Sequence, residues 1–115
     1  MESTDEFKAW YRGLNEGERG AVIRVMDMLE ICGPTLGFPQ SSDIKTSRHG
    51  EMRELRIQHA GRPYRVLYAF DPRRTAVLLL GDDKTGDARW YKRVVRIADD
   101  LYDAHLRELR EEGLI

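Results

Sequence analysis

A few side chains in the middle of this chain are of the types that can hold a phosphate and move a proton. Arg56 and Arg65 lie on runs that read as neighbouring strands. A guanidinium is planar, permanently charged and pairs two-pronged with phosphate oxygens, so it can offset charge on a phosphorane-like transition state. The same permanent charge makes it a poor base, and proton transfer must come from another group. Glu54 is the conspicuous carboxylate: a candidate base, or equally the residue that orients Arg56. Lys84, after the third predicted strand, offers a third positive charge or is an ordinary solvated loop lysine. Tyr91, near the start of the last helical segment, can stack on a nucleobase or assist proton transfer, unless it or Trp90 simply anchors the helix. His49, between Arg48 and Gly50, is a further candidate base or contact. Each arginine has a plainer reading as a salt-bridge partner of Glu54 or Glu51. If these side chains face solvent, replacing them should change stability little.

The elements that must position them follow from periodicity. Thr4 or Ser3 can cap a first helix, with Glu6 three residues after Ser3 as in a capping box. Phe7, Trp10, Tyr11 and Leu14 give it one apolar face. Asn15 can cap a second helix, Glu16 to Cys32, whose Val22, Val25, Met26, Leu29 and Cys32 share a side; Gly33-Pro34 ends it. The two helices read as an antiparallel hairpin facing a sheet. Residues 33–50, rich in Gly, Pro and Ser, read as a long irregular connection. Met52–His59 alternates, with Met52, Glu54, Arg56 and Gln58 on one face and Arg53, Leu55, Ile57 and His59 on the other. Arg62–Phe70 follows across a tight Ala60-Gly61 turn, and Thr75–Leu80, apolar on both faces, makes a third strand after Asp71-Pro72-Arg73. Whether Arg56 and Arg65 share a face depends on register. Gly81–Asp87 reads as a polar loop, and a final helix runs from about Asp87 or Ala88 to Arg110.

The 115 residues suit one domain, 1–115, with 41% apolar and 34% charged residues. No apolar run is long enough to cross a bilayer, and the acidic start MESTDEF does not read as a signal peptide, so the expected location is cytoplasmic. Cys32 is the only cysteine and reads as a buried structural thiol. His49, His59 and His105 are spread over three elements, so neither a metal site nor any other cofactor is implied. There is no Walker-type phosphate loop and no nucleophile elbow. The overall charge of −1 hides a strong segregation. Residues 45–96 carry thirteen basic and six acidic side chains, while residues 1–44 and 97–115 are each net −4. Such a basic block can bind a polyanion, or be a solvated mixed surface.

Glu54-Leu55-Arg56 on one strand and Tyr64-Arg65-Val66-Leu67-Tyr68 on the next, in this order and spacing, resemble a strand pair of phage-derived Gp49-like and HigB-type toxins of the RelE/ParE superfamily. Ile44 to His49, and Trp90-Tyr91 through Leu106, are similar to an actinobacterial-style branch of that group. The resemblance implies a RelE-like α+β fold: two N-terminal helices, an antiparallel sheet of three or four strands and a C-terminal helix. It implies the toxin of a type II toxin–antitoxin pair, an enzyme that cleaves mRNA without a metal on the ribosome. Its partners would be mRNA, the ribosome and a helix-turn-helix antitoxin, with no membrane. The family's functional arginine or lysine positions fall at Arg56 and Arg65. Relatives often place an aromatic at the position of Tyr91. This gives a catalytic set of Arg56, Arg65, Lys84, Tyr91 and Glu54, with Lys45, Arg48, His49, Arg62, Arg89 and Lys92 as RNA contacts. Two alternatives remain, a ParE-like topoisomerase-binding toxin and an inactive phage-derived partner-binding protein. Two departures stand out. Relatives open with a strand, but Met1–Thr4 is short and polar, so that sheet edge is expected to be open or paired with another chain. A lysine-rich segment of relatives is replaced by Gly81-Asp82-Asp83-Lys84.

Overall fold

The computed structural model describes residues 1–115. Helix α1 spans Asp5–Arg12 and starts at Thr4, whose hydroxyl accepts the Phe7 amide at 3.0 Å. Helix α2 spans Glu16–Cys32 and opens on a reciprocal capping box, in which Asn15 and Glu18 exchange backbone-to-side-chain bonds of 2.8 Å. Glu18 also accepts a hydrogen bond from the Tyr64 hydroxyl, which ties the start of α2 to the sheet. A short 3-10 turn, Gly33–Thr35, then leads the chain away.

The sheet has five strands: β1 (Glu2–Ser3), β2 (Ser41–Asp43), β3 (Met52–His59), β4 (Arg62–Phe70) and β5 (Ala76–Asp83), in the order β1-β5-β4-β3-β2. The α+β class is as expected, but the sheet is mixed rather than wholly antiparallel, because β1 runs parallel to β5. The expected open edge is therefore partly filled. Ser3 pairs with Leu78, the Thr4 amide donates to the Leu78 carbonyl at 3.0 Å, and the Thr4 hydroxyl donates to the Leu79 carbonyl at 2.6 Å. Strand addition at an edge is made by backbone groups, so two polar residues suffice where apolar patterning shows nothing. The same reason hid β2, which pairs with Arg53–Leu55 inside a stretch read as irregular.

Ala60 and Gly61, with φ of 50° and 77°, form the expected tight hairpin between β3 and β4. Strand β5 runs three residues beyond the predicted Leu80. The β4–β5 register shifts by one between Leu67 and Tyr68, so Leu79 has no cross-strand partner and Asp82 faces Arg65. Gly81 lies under the Trp10 indole; a Cβ there would come within 2.2 Å of the ring, so only glycine lets α1 close over the end of β5.

Helices α1 and α2 cover one face of the sheet through Leu55, Ile57, Tyr64, Val66, Tyr68 and Leu78. Helix α3 (Trp90–Glu111) covers the other through Met52, Leu67, Ala69, Val77 and Leu79. Cys32, expected to be buried, is exposed: it lies nearly one turn beyond Leu29, the last buried residue of α2.

The far end of α3 is locked to the sheet by a polar cluster. The fully buried Asp71 carboxylate accepts from Arg73 at 2.8 Å, meets the His105 ring nitrogen at 2.9 Å, and accepts the Arg73 and Thr75 amides. Burial alone would raise its pKa, but these hydrogen bonds outweigh it and hold the group below its usual value. A carboxyl depressed in the fold adds stability that is complete above the unfolded pKa and is lost as pH falls through the folded one. Stability is therefore expected to fall from about pH 4 downward, and Asp71→Asn should flatten that slope in acid unfolding curves. An unchanged slope would remove Asp71 from the balance.

Candidate functional site

The register places Arg56 directly opposite Arg65, so both lie on the α3 face with Glu54. Glu54 is the centre of the group, with its side chain only 5% exposed. Its Oε1 accepts the Tyr91 hydroxyl at 2.7 Å and lies 3.5 Å from Arg65 Nε. Its Oε2 accepts the Ser42 hydroxyl at 2.7 Å and lies 3.4 Å from Arg56 Nη1. Lys84 Nζ sits 4.9 Å from the centre of the Tyr91 ring. Five residues drawn from β3, β4, the loop after β5 and the start of α3 thus converge, and Ser42 of β2 joins them.

The two arginines differ. The Arg56 side chain is 30% exposed and reaches solvent. That of Arg65 is 7% exposed, so the condition under which its replacement would change stability little is not met. Arg65 Nη1 donates to the Tyr64 carbonyl at 2.9 Å, whereas its Nε is buried without a hydrogen-bond partner. Both plainer readings of the arginines as partners of Glu54 hold structurally, and the pairing also leaves Arg56 available at the surface.

Burial, and then the bond to the Glu54 carboxylate, push the Tyr91 phenol above its ordinary pKa, with Arg65 pulling the other way. Tyr91 therefore stays protonated at neutral pH and can donate but not abstract a proton. Anchoring of α3 falls to its neighbour. Trp90 is fully buried, and its indole N–H donates to Asp82 Oδ2 at 3.0 Å.

A family model for phage-derived Gp49-like proteins matches residues 9–103. The chain belongs to that family. It stands on the HigB-like branch of RelE/ParE-type toxins. It is 43% identical over 95 residues to HigB3 of Mycobacterium tuberculosis (strain ATCC 25618 / H37Rv), named as a candidate toxin, with 82% of each chain covered. It is 35% identical over 109 residues to HigB2 of the same organism, also named as a candidate toxin, covering 93% of this chain but only 54% of that longer protein. No solved structure matches.

The remaining residues singled out in this Gp49-like chain are scattered. Lys92 and Arg48 line a hollow of about 240 Å³ beside Tyr91. Arg48 is held by Asp100 at 2.7 Å and by Asp103. His49 is bonded to Asp103 at 2.7 Å and packs edge-on against Tyr102. Asp103 is twelve residues along α3 from Tyr91, or about 18 Å at 1.5 Å per residue. Arg62 pairs with Asp83 at 3.3 Å beyond the hairpin turn, and Lys45 and Arg89 are exposed. The aspartates that replace the lysine-rich segment have structural work: Asp82 holds Trp90, and Asp83 accepts the Thr85 amide at 2.9 Å. Two residues near the site were missed. Ser42 was hidden with β2. Phe38, beside Arg56, fell in the stretch read as irregular.

Proposed function

We propose that this protein is the toxin of a toxin–antitoxin pair and acts as a metal-independent mRNA endoribonuclease on the ribosome. The observation that carries the reading is the convergence of Arg56, Arg65 and Tyr91 on the one carboxylate of Glu54, with Lys84 over the Tyr91 ring. Nothing local in the sequence forces these residues together. In this reading the RNA 2′-hydroxyl attacks its own phosphate, and the protein holds the nucleotide in line and offsets the growing charge. Arg56, solvent-reaching and aimed by Glu54, pairs with a phosphate oxygen. Lys84 adds positive charge across the Tyr91 ring. Tyr91, kept protonated, donates to the leaving 5′-oxygen or stacks on a base. Glu54, buried and engaged on both oxygens, acts by positioning rather than as a base, so the 2′-hydroxyl proton passes to solvent water, from which Tyr91 regains the proton it gives to the 5′-oxygen. Arg48 and His49, held by α3 aspartates, play no part in the cut. Repression would come from a cognate antitoxin, for which a small helix-turn-helix protein is the expected type. The chain has no helix long and apolar enough to cross a membrane.

The test is induction in a bacterial host without antitoxin, with translation, mRNA integrity and DNA supercoiling followed in the same culture. Growth arrest with cut mRNA and unchanged supercoiling is expected. Arrest with intact mRNA and blocked supercoiling would establish the ParE-like alternative. Normal growth with a tightly bound partner would establish the inactive binding protein.

A further inference from the structure

Beside the candidate site, β3 outruns β2. The amide of Arg56 still bonds to the Gln40 carbonyl at 2.8 Å, but Ile57–His59 have no partner on that side. A hollow of about 450 Å³ opens there, lined by Arg24 of α2, Gln40, Gln58 and the two site arginines. Phe38 stands at its rim, two residues from Gln40. It is 75% exposed, an unusual place for a large aromatic, and the Arg56 guanidinium lies 5.2 Å from its ring centre. Val25, Met28, Pro39 and Ile57 form the hollow's apolar lining, and the other groups around it are cationic or amide. The buried, unpartnered Nε of Arg65 belongs to a side chain that lines it.

We propose that this hollow is a subsite for the nucleobase flanking the scissile phosphate, with Phe38 as its stacking platform. This rests on the RNA-cleaving reading and adds where the neighbouring nucleotide goes. An aromatic ring beside a guanidinium gives a nucleobase two planar surfaces, one apolar and one cationic. Gln40 and Gln58 carry amides, each able to donate and accept, which suits the edge of a base. Arg24 supplies charge for the next phosphate along the strand. The apolar side chains of Val25, Met28 and Ile57 suit the face of a base, and the three arginines beside them favour a polyanion over an uncharged peptide segment. Arg56 would then join the two functions, one nitrogen toward Glu54 and the reacting phosphate, its plane over the stacking ring. The subsite makes Phe38, and not only the cationic cluster, a determinant of which sequence is cut.

The experiment measures binding of a short single-stranded RNA, 2′-O-methylated so that it cannot cut itself, by fluorescence anisotropy. Wild type, Phe38→Ala and Phe38→Trp are compared, each also against RNAs with one abasic position. Because Phe38 is exposed, neither change should disturb folding, and melting curves check this. Base–aromatic stacking predicts that Phe38→Ala weakens binding by roughly 5- to 100-fold and that Phe38→Trp keeps it within about twofold. One abasic position should cost wild type a similar factor and cost Phe38→Ala almost nothing. Wild-type affinity in Phe38→Ala overturns the subsite while leaving the RNA-cleaving reading intact. No RNA binding by wild type overturns the subsite, and the RNA-cleaving reading then stands or falls on cleavage of ribosome-bound mRNA. Loss of antitoxin capture by Phe38→Ala with RNA affinity unchanged overturns the subsite and assigns the ring to the antitoxin.

Discussion

Arg56→Ala is expected to slow RNA cleavage by roughly 10²–10³-fold, the scale of removing one preorganised charge-stabilising donor, while the protein stays folded. Arg56 is the cation of the cluster best placed to meet substrate: it reaches solvent and is oriented by a buried carboxylate 3.4 Å away. Its attraction for a phosphate is worth more in the transition state, when charge on the phosphoryl oxygens peaks, than in the ground state. The loss should therefore fall on the rate at saturating RNA as well as on binding. Arg56→Lys keeps the charge but loses the planar fork, and should recover only part of the rate. The measurement is initial cleavage rate at equal soluble protein, beside a melting curve. An unchanged rate would remove Arg56 from the mechanism.

Arg65→Met should act differently, because Arg65 is built into the fold. Its side chain and that of Glu54 are both almost fully buried at 3.5 Å. Removing one member of such a pair leaves a charge in low dielectric and costs about 3–5 kcal/mol, whereas removing both charges is often close to neutral. The lower end is expected, since Ser42, Tyr91 and Arg56 still contact Glu54. The double variant Glu54→Gln/Arg65→Met should regain at least half of the lost stability, read from denaturant midpoints. It should stay as slow as Arg56→Ala, because the carboxylate that aims Arg56 has gone. If Arg65→Met melts like wild type, the pair contributes nothing, and Arg65 is free to act on substrate alone.

The long elements were legible in the sequence because their signals are strong and local. Asn15 with Glu18 marks the start of α2, the alternation over Met52–His59 and Arg62–Phe70 marks two strands, and Ala60-Gly61 marks their turn. The short strands were not legible. Glu2–Ser3 and Ser41–Asp43 are polar and are held by backbone bonds to strands far along the chain. The extension of β5 through Asp83 was hidden because Gly81-Asp82-Asp83 has the composition of a loop, and its reason is tertiary: Trp10 covers Gly81, and Asp82 caps the Trp90 indole. For the site, the residue types pointed to the members of the cluster, but their meeting depended on the Arg56–Arg65 register, which no single strand encodes. The same register buries Arg65, and alternation alone could not show that. The ion pairs of Arg48 and His49, candidate RNA contacts, were not legible either. Their partners, Asp99, Asp100 and Asp103, lie some fifty residues away on α3.

The chemistry of the cut ends tests the central claim most directly. Attack by a neighbouring 2′-hydroxyl leaves a 2′,3′-cyclic phosphate on one fragment and a 5′-hydroxyl on the other, and it proceeds without a divalent ion on the protein. Purified protein is given messenger RNA on ribosomes whose own magnesium has been retained, and separately single-stranded RNA in excess chelator, and the new ends are identified by their susceptibility to phosphatase and kinase. The account predicts cyclic-phosphate and 5′-hydroxyl ends in whichever arm is cut, with the yield cut sharply by Arg56→Ala. Ends bearing 3′-hydroxyl and 5′-phosphate, or wild-type and Arg56→Ala protein cutting equally well, would contradict it.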